Sequence, residues 1–141
     1  MRVLFDTNVV LDVLLNRRPH AVVAAQLMAW VERRRIEGLL GATTVTTIHY
    51  LASKAVGAAR ARKHVRTLLA LFDVAPVNRT VLSEALLLEF PDYEDAVLHE
   101  AARLAGATGI VTRDADGFRK ANLSVFAPDE LLRMILALPP E

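Results

Sequence analysis

Five aspartates occupy positions where an ordered chain can use them for chemistry. Asp6 closes the apolar run 3–5, and Asp114 lies two residues past the run 109–112. Asp92 and Asp95 stand three apart at the start of a helical pattern, and Asp116 follows in the same loop as Asp114. A spacing of three puts two side chains on one helix face. Carboxylates drawn together repel unless protons or a cation offset their charge. Oxygen donors without thiolates suit Mg²⁺ or Mn²⁺, and a divalent cation held in this way can position phosphate and activate water. The same residues also have structural readings. Asp6 can cap the helix that begins near Asn8, Asp92 and Asp95 can form a cap and third-position pair, and Asp114 and Asp116 can be turn acids.

Other chemistries find little support. The chain has no cysteine, which removes disulfides, thiolate metal sites and cysteine nucleophiles. His49 and His99 fall on helices as partly buried or interfacial residues, with His99 four after Asp95 and able to touch it. His20 and His64 read as solvent residues. There is no glycine-rich phosphate loop and no G-x-S-x-G elbow.

Elements that would carry these acids follow from the apolar pattern. Strands are expected at 3–5, 39–42, 74–77, 109–112 and 124–126. Helices are expected at 9–15, 21–35, from 43 or 44 to 56, and at 60–72, 81–89, 92–105 and 129–138. Gly38 is read as the stop of the second helix. Strands separated by helices make an α/β fold with a mainly parallel sheet. In such sheets ligands bind outside the carboxyl ends of the strands, which is where Asp6 and Asp114 fall.

With 141 residues, of which 53% are hydrophobic and 23% charged, the chain is expected to form one domain over 1–141 with a substantial core. Its mean hydropathy of +0.30 calls for a check on membrane spans. The longest charge-free stretch, 38–53, contains four threonines and a histidine and falls short of the roughly 20 apolar residues a span needs. No cleavable signal pattern opens the chain. A cytoplasmic protein away from membranes is expected, with the apolar surplus serving the core and a homodimer interface.

The net charge of +1 hides an uneven distribution. Between Gly38 and Phe72 there are five cations, Lys54, Arg60, Arg62, Lys63 and Arg66, and no acid, whereas eight acids fall between Glu84 and Asp116. Each block can be a solvated helix face. Arg60, Arg62, Lys63 and Arg66 can also track a phosphate backbone.

Three segments, Leu4-Phe5-Asp6-Thr7-Asn8, Asp92-Tyr93-Glu94-Asp95-Ala96 and Ile110-Val111-Thr112-Arg113-Asp114, resemble the PIN domain family in order and spacing across nearly the whole chain. Small stand-alone chains of this kind resemble the VapC-type toxins of bacterial toxin–antitoxin pairs. The resemblance implies a single PIN-like domain with a sheet of order 3-2-1-4-5 flanked by helices. It also implies a Mg²⁺- or Mn²⁺-dependent ribonuclease. Asp6, Asp95 and Asp114 match the family's acids, with Asp92 and Asp116 as further metal-ligand candidates. Thr7 and Asn8 match the polar residues that steady the first acid, and Thr112 matches the strand-end hydroxyl. One position departs from the pattern. Many PIN domains place a Glu on the helix after the second strand, where this chain has Thr47, or in a shifted alignment Thr46. A hydroxyl does not replace a carboxylate's charge, so metal would be held less tightly, or Asp92 or Glu94 recruited.

The expected activity is hydrolysis of RNA phosphodiesters by the toxin of a toxin–antitoxin pair, with RNA as substrate and a small antitoxin protein as partner. The alternative is a catalytically weak PIN-like module that binds RNA or protein and lacks the second acid. A phosphoacceptor receiver is disfavoured because no acid follows the middle run 74–77 and no lysine follows 124–126. A phosphatase with an aspartate nucleophile wants an acid two after the first, where this chain has Asn8.

Overall fold

The computed structural model describes residues 1–140. The chain runs β1 (Arg2–Phe5), α1 (Thr7–Leu14), α2 (Ala21–Glu32), β2 (Glu37–Gly41), α3 (Ala42–Val56), α4 (Ala58–Leu71) and β3 (Asp73–Ala75). It continues with α5 (Arg79–Ala85), α6 (Tyr93–Leu104), β4 (Gly109–Val111), a 3₁₀ turn (Ala115–Phe118), β5 (Ser124–Phe126) and α7 (Pro128–Ala137). All four strand pairings are parallel, in the order β3-β2-β1-β4-β5. This is the mainly parallel sheet expected from the pattern, in the 3-2-1-4-5 order that the family resemblance implies.

β1 lies in the middle, with Leu4 opposite Leu39 on one side and Ile110 on the other. Covered on both faces, it carries the apolar run Val3-Leu4-Phe5 after Arg2, as suits a central parallel strand. Val3, Phe5, Leu40 and Val111 pack with Val9, Leu27, Ile48, Leu68 and Leu131 in one core. Leu4, Leu39 and Ile110 pack with Val81, Val97, Leu98 and Phe118 in the other. Because alternate residues of each strand serve opposite cores, the strand ends are fixed in height, and so is whatever follows them.

Several boundaries differ from expectation. Gly38 lies inside β2 and does not end a helix. A Cβ there would meet the Phe72 ring at 2.5 Å, so glycine is what lets that ring close over the strand and stack edge-on against Phe5. α2 ends at Glu32, and the chain then turns through Arg34 in a left-handed conformation with φ of 59°. α5 stops at Ala85 and not at Glu89, leaving Leu86 and Leu87 in a turn, 71% and 80% exposed. α1 runs from Thr7 to Leu14, two residues earlier at its start than expected, with Asp6 as its cap. No helix among the described residues is long and apolar enough to cross a membrane.

Candidate functional site

Asp6 is placed by the middle strand. Its backbone N–H continues the β1–β4 pairing by donating to the Val111 carbonyl at 3.0 Å, and its carboxylate turns inward, 7% exposed. The Thr7 backbone N–H donates to Oδ1 at 2.7 Å, and the buried Thr112 hydroxyl donates to Oδ2 at 2.7 Å. Thr112 Oγ1 in turn accepts the Asp114 N–H at 2.9 Å, so one hydroxyl ties the ends of β1 and β4 together. Capping and site placement are thus the same event for Asp6: the group that starts α1 is held at the carboxyl edge of the sheet.

The other acids arrive by similar devices. Asp92 caps α6, its Oδ1 accepting the Asp95 N–H at 3.2 Å, and this sets Asp95 in the first helical turn. Asp114 caps the 3₁₀ turn by accepting the Gly117 N–H at 3.3 Å. Gly117 is a site residue that the sequence did not reveal. A Cβ there would lie 2.8 Å from Asp95 Oδ2 and 2.9 Å from Asp114 Oδ2, so both carboxylates lean on the bare face of this glycine. The only sequence signal is a glycine that follows Asp-Ala-Asp, which reads equally as an ordinary turn. Asp92 and Asp116 stay exposed. Asp92 spends an oxygen on its cap, and the Asp116 side chain bonds none of the other acids.

The electrostatics follow from this crowding. Burial raises the Asp6 pKa, against the Thr112 and Thr7 hydrogen bonds that lower it, while Asp114 pushes it up and Arg113 pulls it down. Asp95 is pushed to about 7, first by burial and then by Asp6, Asp92, Asp114 and Glu94. A carboxylate cluster short of positive charge attracts a cation. No group of three or more His, Cys, Asp or Glu side chains among the described residues is arranged to hold a metal ion by itself. Mg²⁺ does not require one, since it keeps several waters and commonly takes only one or two carboxylates. The all-oxygen donors of Asp6, Asp95 and Asp114 fit such an ion.

The threonines of α3 divide between two kinds of partner. Thr47 and Thr46 both donate back to the Thr43 carbonyl, at 3.1 and 2.9 Å, within their own helix. The hydroxyl brought to the site is Thr44, buried and accepting from Thr7 Oγ1 at 3.2 Å. α3 follows β2 without a loop, so its first turn, not its second, faces the end of β1.

Asp12 is a second residue missed by sequence reasoning. It is fully buried on α1, gripped by Arg113 through Nε at 2.7 Å and Nη2 at 3.1 Å, and by Arg17 Nε at 2.9 Å. A lone acid in an apolar helix pattern was its only signal. Asn8 approaches both Asp6 Oδ2, at 3.5 Å, and the Arg113 N–H, at 3.4 Å. His99 is fully buried and does not reach Asp95. Its Nε2 accepts the Asn122 N–H at 3.0 Å and its Nδ1 therefore donates to Glu100 at 2.8 Å, which makes it a structural residue. His64 is half-buried, its Nε2 without a hydrogen-bond partner, whereas His20 is exposed as expected. Arg60, Arg62, Lys63 and Arg66 are exposed along α4, and none is ion-paired among the described residues. A cavity of about 620 Å³ lies away from the carboxylates, at the amino end of β2 between the ends of α2 and α4.

With this geometry in hand, the comparisons with known proteins are decisive for the family. A PIN domain family model matches residues 2–116, which takes in β1 through Asp116 and all of the acids above. The chain belongs to the PIN domain family. This PIN domain is 22% identical over 134 residues to Ribonuclease VapC1 of Aquifex aeolicus, covering 92% of both chains. It shares its fold with VapBC2 from Rickettsia felis, solved with a promoter DNA fragment, at a TM-score of 0.70 and 13% identity over 90% of this chain and 98% of that one. It is similar in the same way to a toxin–antitoxin complex from Klebsiella pneumoniae, at 0.69 and 24% over 89% and 97%.

Proposed function

We propose that this PIN domain is a divalent-metal-dependent ribonuclease acting as the toxin of a toxin–antitoxin pair. The observation that carries the reading is the convergence of Asp6, Asp95 and Asp114 at the carboxyl edge, with Asp95 pushed to about 7 by burial and its acidic neighbours. Likeness to Ribonuclease VapC1 supports RNA as the substrate, and likeness to two toxin–antitoxin assemblies supports a protein antitoxin as partner.

Asp6, Asp95 and Asp114 would hold Mg²⁺ or Mn²⁺, with Asp92 and Asp116 at the rim. When bound, the ion supplies Lewis acidity: it lowers the pKa of water and offsets charge on the phosphate oxygens. The chain's own residues do the positioning. Thr112 and the Thr7 amide fix both oxygens of Asp6, Asp92 fixes the turn that presents Asp95, and the Gly117 amide fixes Asp114. The cations of α4 would track the RNA backbone, with binding that weakens as salt rises. The homodimer expected from the apolar surplus would use exposed apolar surface such as Leu82, Leu86 and Leu87. Sedimentation of the purified chain reads its oligomeric state directly.

The test is cleavage of RNA by the purified protein with Mg²⁺ or Mn²⁺, beside Asp6→Asn. Loss of cleavage by orders of magnitude is expected, and undiminished cleavage by the variant overturns the assignment. A second reading, a weak or inactive module that binds RNA or protein, draws on α3, the helix after the second strand, which carries no acid where the family commonly has one and whose Thr44 bonds Thr7 of α1. It predicts RNA or protein binding without metal-dependent turnover in either protein.

A further inference from the structure

A cavity of about 340 Å³ opens on the far side of Arg113, between the start of α2 and the start of α7. It is separate from the carboxylates, yet it shares Arg113 with them, since that guanidinium follows β4 and acts on Asp6. Its volume sits at the low end of the roughly 300–1,000 Å³ typical of small-molecule pockets, which suits one base and not an oligonucleotide. The Pro19 and Pro128 rings and Val23 supply apolar walls, and the exposed His20 ring stands at the rim.

The charged groups that line it are Arg113, held by a buried partner, and Asp129, at the surface. Arg113 spends Nε and Nη2 on buried Asp12, which locks the guanidinium plane and leaves Nη1 without a hydrogen bond. Asp129 gives Oδ2 to Arg133 at 3.2 Å and keeps Oδ1 free. The Arg113 guanidinium therefore keeps its two Nη1 hydrogens and the second Nη2 hydrogen for a ligand, and Asp129 keeps one acceptor oxygen, beside apolar walls. A phosphate would have to face the Asp129 carboxylate, so an anion is a poor match. A flat heterocycle with both acceptor and donor edges is a good one. Guanine meets it: O6 and N7 accept from arginine, and N1–H and the 2-amino group donate to a carboxylate.

We propose that this cavity is a nucleobase subsite, which takes an unpaired guanine of the RNA strand beside the phosphate at the carboxylates. The placement next to the reacting phosphate rests on the nuclease reading above. Single-stranded RNA is read in this manner, with splayed bases stacked on flat side chains and bonded at their edges. The cavity thereby becomes a determinant of which sequence is cut, supplied by α2 and α7 and independent of the α4 cations.

The first test needs no cleavage. Amide NMR shifts are followed as guanosine 5′-monophosphate, cytidine 5′-monophosphate and ribose 5-phosphate are titrated in turn. The guanine nucleotide is expected to shift the Val23 and Asp129 amides, with cytidine at least about fivefold weaker and ribose phosphate without effect there. His20→Ala, an exposed and structurally mild change, should weaken guanosine binding about fivefold, as loss of one stacking contact does. Val23→Trp should abolish it by filling the cavity. Absence of shifts at these amides, or equal shifts with ribose phosphate, overturns the proposal. The second test sequences the ends released from randomised RNA. Guanine enrichment at one position beside the cut, lost in His20→Ala, is expected, and enrichment unchanged in the variant overturns the subsite. Because the titration does not depend on turnover, failure of the nuclease reading and failure of the base subsite are told apart.

Discussion

Asp95 and Glu100 stand five residues apart on α6 and meet opposite surroundings. Burial works against a charged Glu100, but hydrogen bonds from Arg103 and His99 overcome it and hold its pKa below the usual range. Both oxygens are engaged, with Arg103 Nε at 3.2 Å from each and Nη2 at 3.0 Å from Oε1. Asp95 has burial without such partners, and its neighbours Asp6, Asp92, Asp114 and Glu94 are all acids. A helix can thus carry one carboxylate that glues it to its surroundings and another left short of positive charge. The second kind is what marks a site for an external cation.

The largest expected effect separates the two by activity. Asp95→Asn should lower metal-dependent RNA cleavage by about 10²–10³, the scale of losing one group that stabilises transition-state charge. Glu100→Gln should leave the rate within about twofold. Initial rates on a labelled RNA decide it, and equal losses would break the comparison. Stability should then sort them the other way. Glu100→Gln is expected to cost about 2 kcal/mol in urea unfolding, because it weakens charge-assisted bonds made in a buried place.

Gly117→Ala sharpens the acidic side alone. The added methyl must push Asp95 Oδ2 or Asp114 Oδ2 from its place, and a shift of that kind should lower the cleavage rate about tenfold. The thermal midpoint should move little, since Gly117 is not in the left-handed region that favours glycine.

A smaller effect is the pH dependence of the metal-free protein. The folded Asp95 value near 7 lies above the unfolded value of 3.8, so the folded state binds the extra proton. That contribution to stability is complete below about pH 4 and is lost as pH rises through 7. Solvent screening at this half-exposed group leaves roughly 1 kcal/mol of the full linkage. Metal-free wild type should therefore melt progressively lower from pH 4.5 to 8, Asp95→Asn should flatten the trend, and Mg²⁺ should restore stability at the alkaline end. The smallest effect concerns α4, where each charge-neutralising change at Arg60, Arg62, Lys63 or Arg66 should reduce the salt dependence of RNA binding by about one in log–log slope.

Much of this architecture was legible in advance. The runs ending at Phe5 and Val111 had to be buried strands, and short apolar strands alternating with helices had to form a parallel sheet. Asp6 and Asp114 follow those runs, so their placement at one edge was predictable from chain order. Asp95 was singled out by its spacing of three from Asp92 and by the family resemblance, and the capping pair that stood as the structural reading of the same two residues is also present, Asp92 capping α6. Gly38 was misread because a glycine in sequence says only that a side chain is missing. That it clears space for Phe72, 34 residues later, is a long-range fact. That Thr44, and not Thr46 or Thr47, bonds Thr7 depends on where α3 begins, and it begins without a loop.

By itself, the amino-acid order determined a mainly parallel α/β sheet, the edge at which Asp6 and Asp114 lie and the hard-oxygen chemistry of the acids, since these follow from local pattern and from the period of strand and helix, whereas the strand order came from the family resemblance. Tertiary structure alone decided that Asp12 is an anchor for Arg113, that Gly117 is the surface on which two carboxylates meet, and that α2 and α7 leave a cavity beside that arginine. Each of these joins residues far apart in the chain, and such contacts exist only once two cores have packed against opposite faces of one sheet and brought the strand ends to a common level.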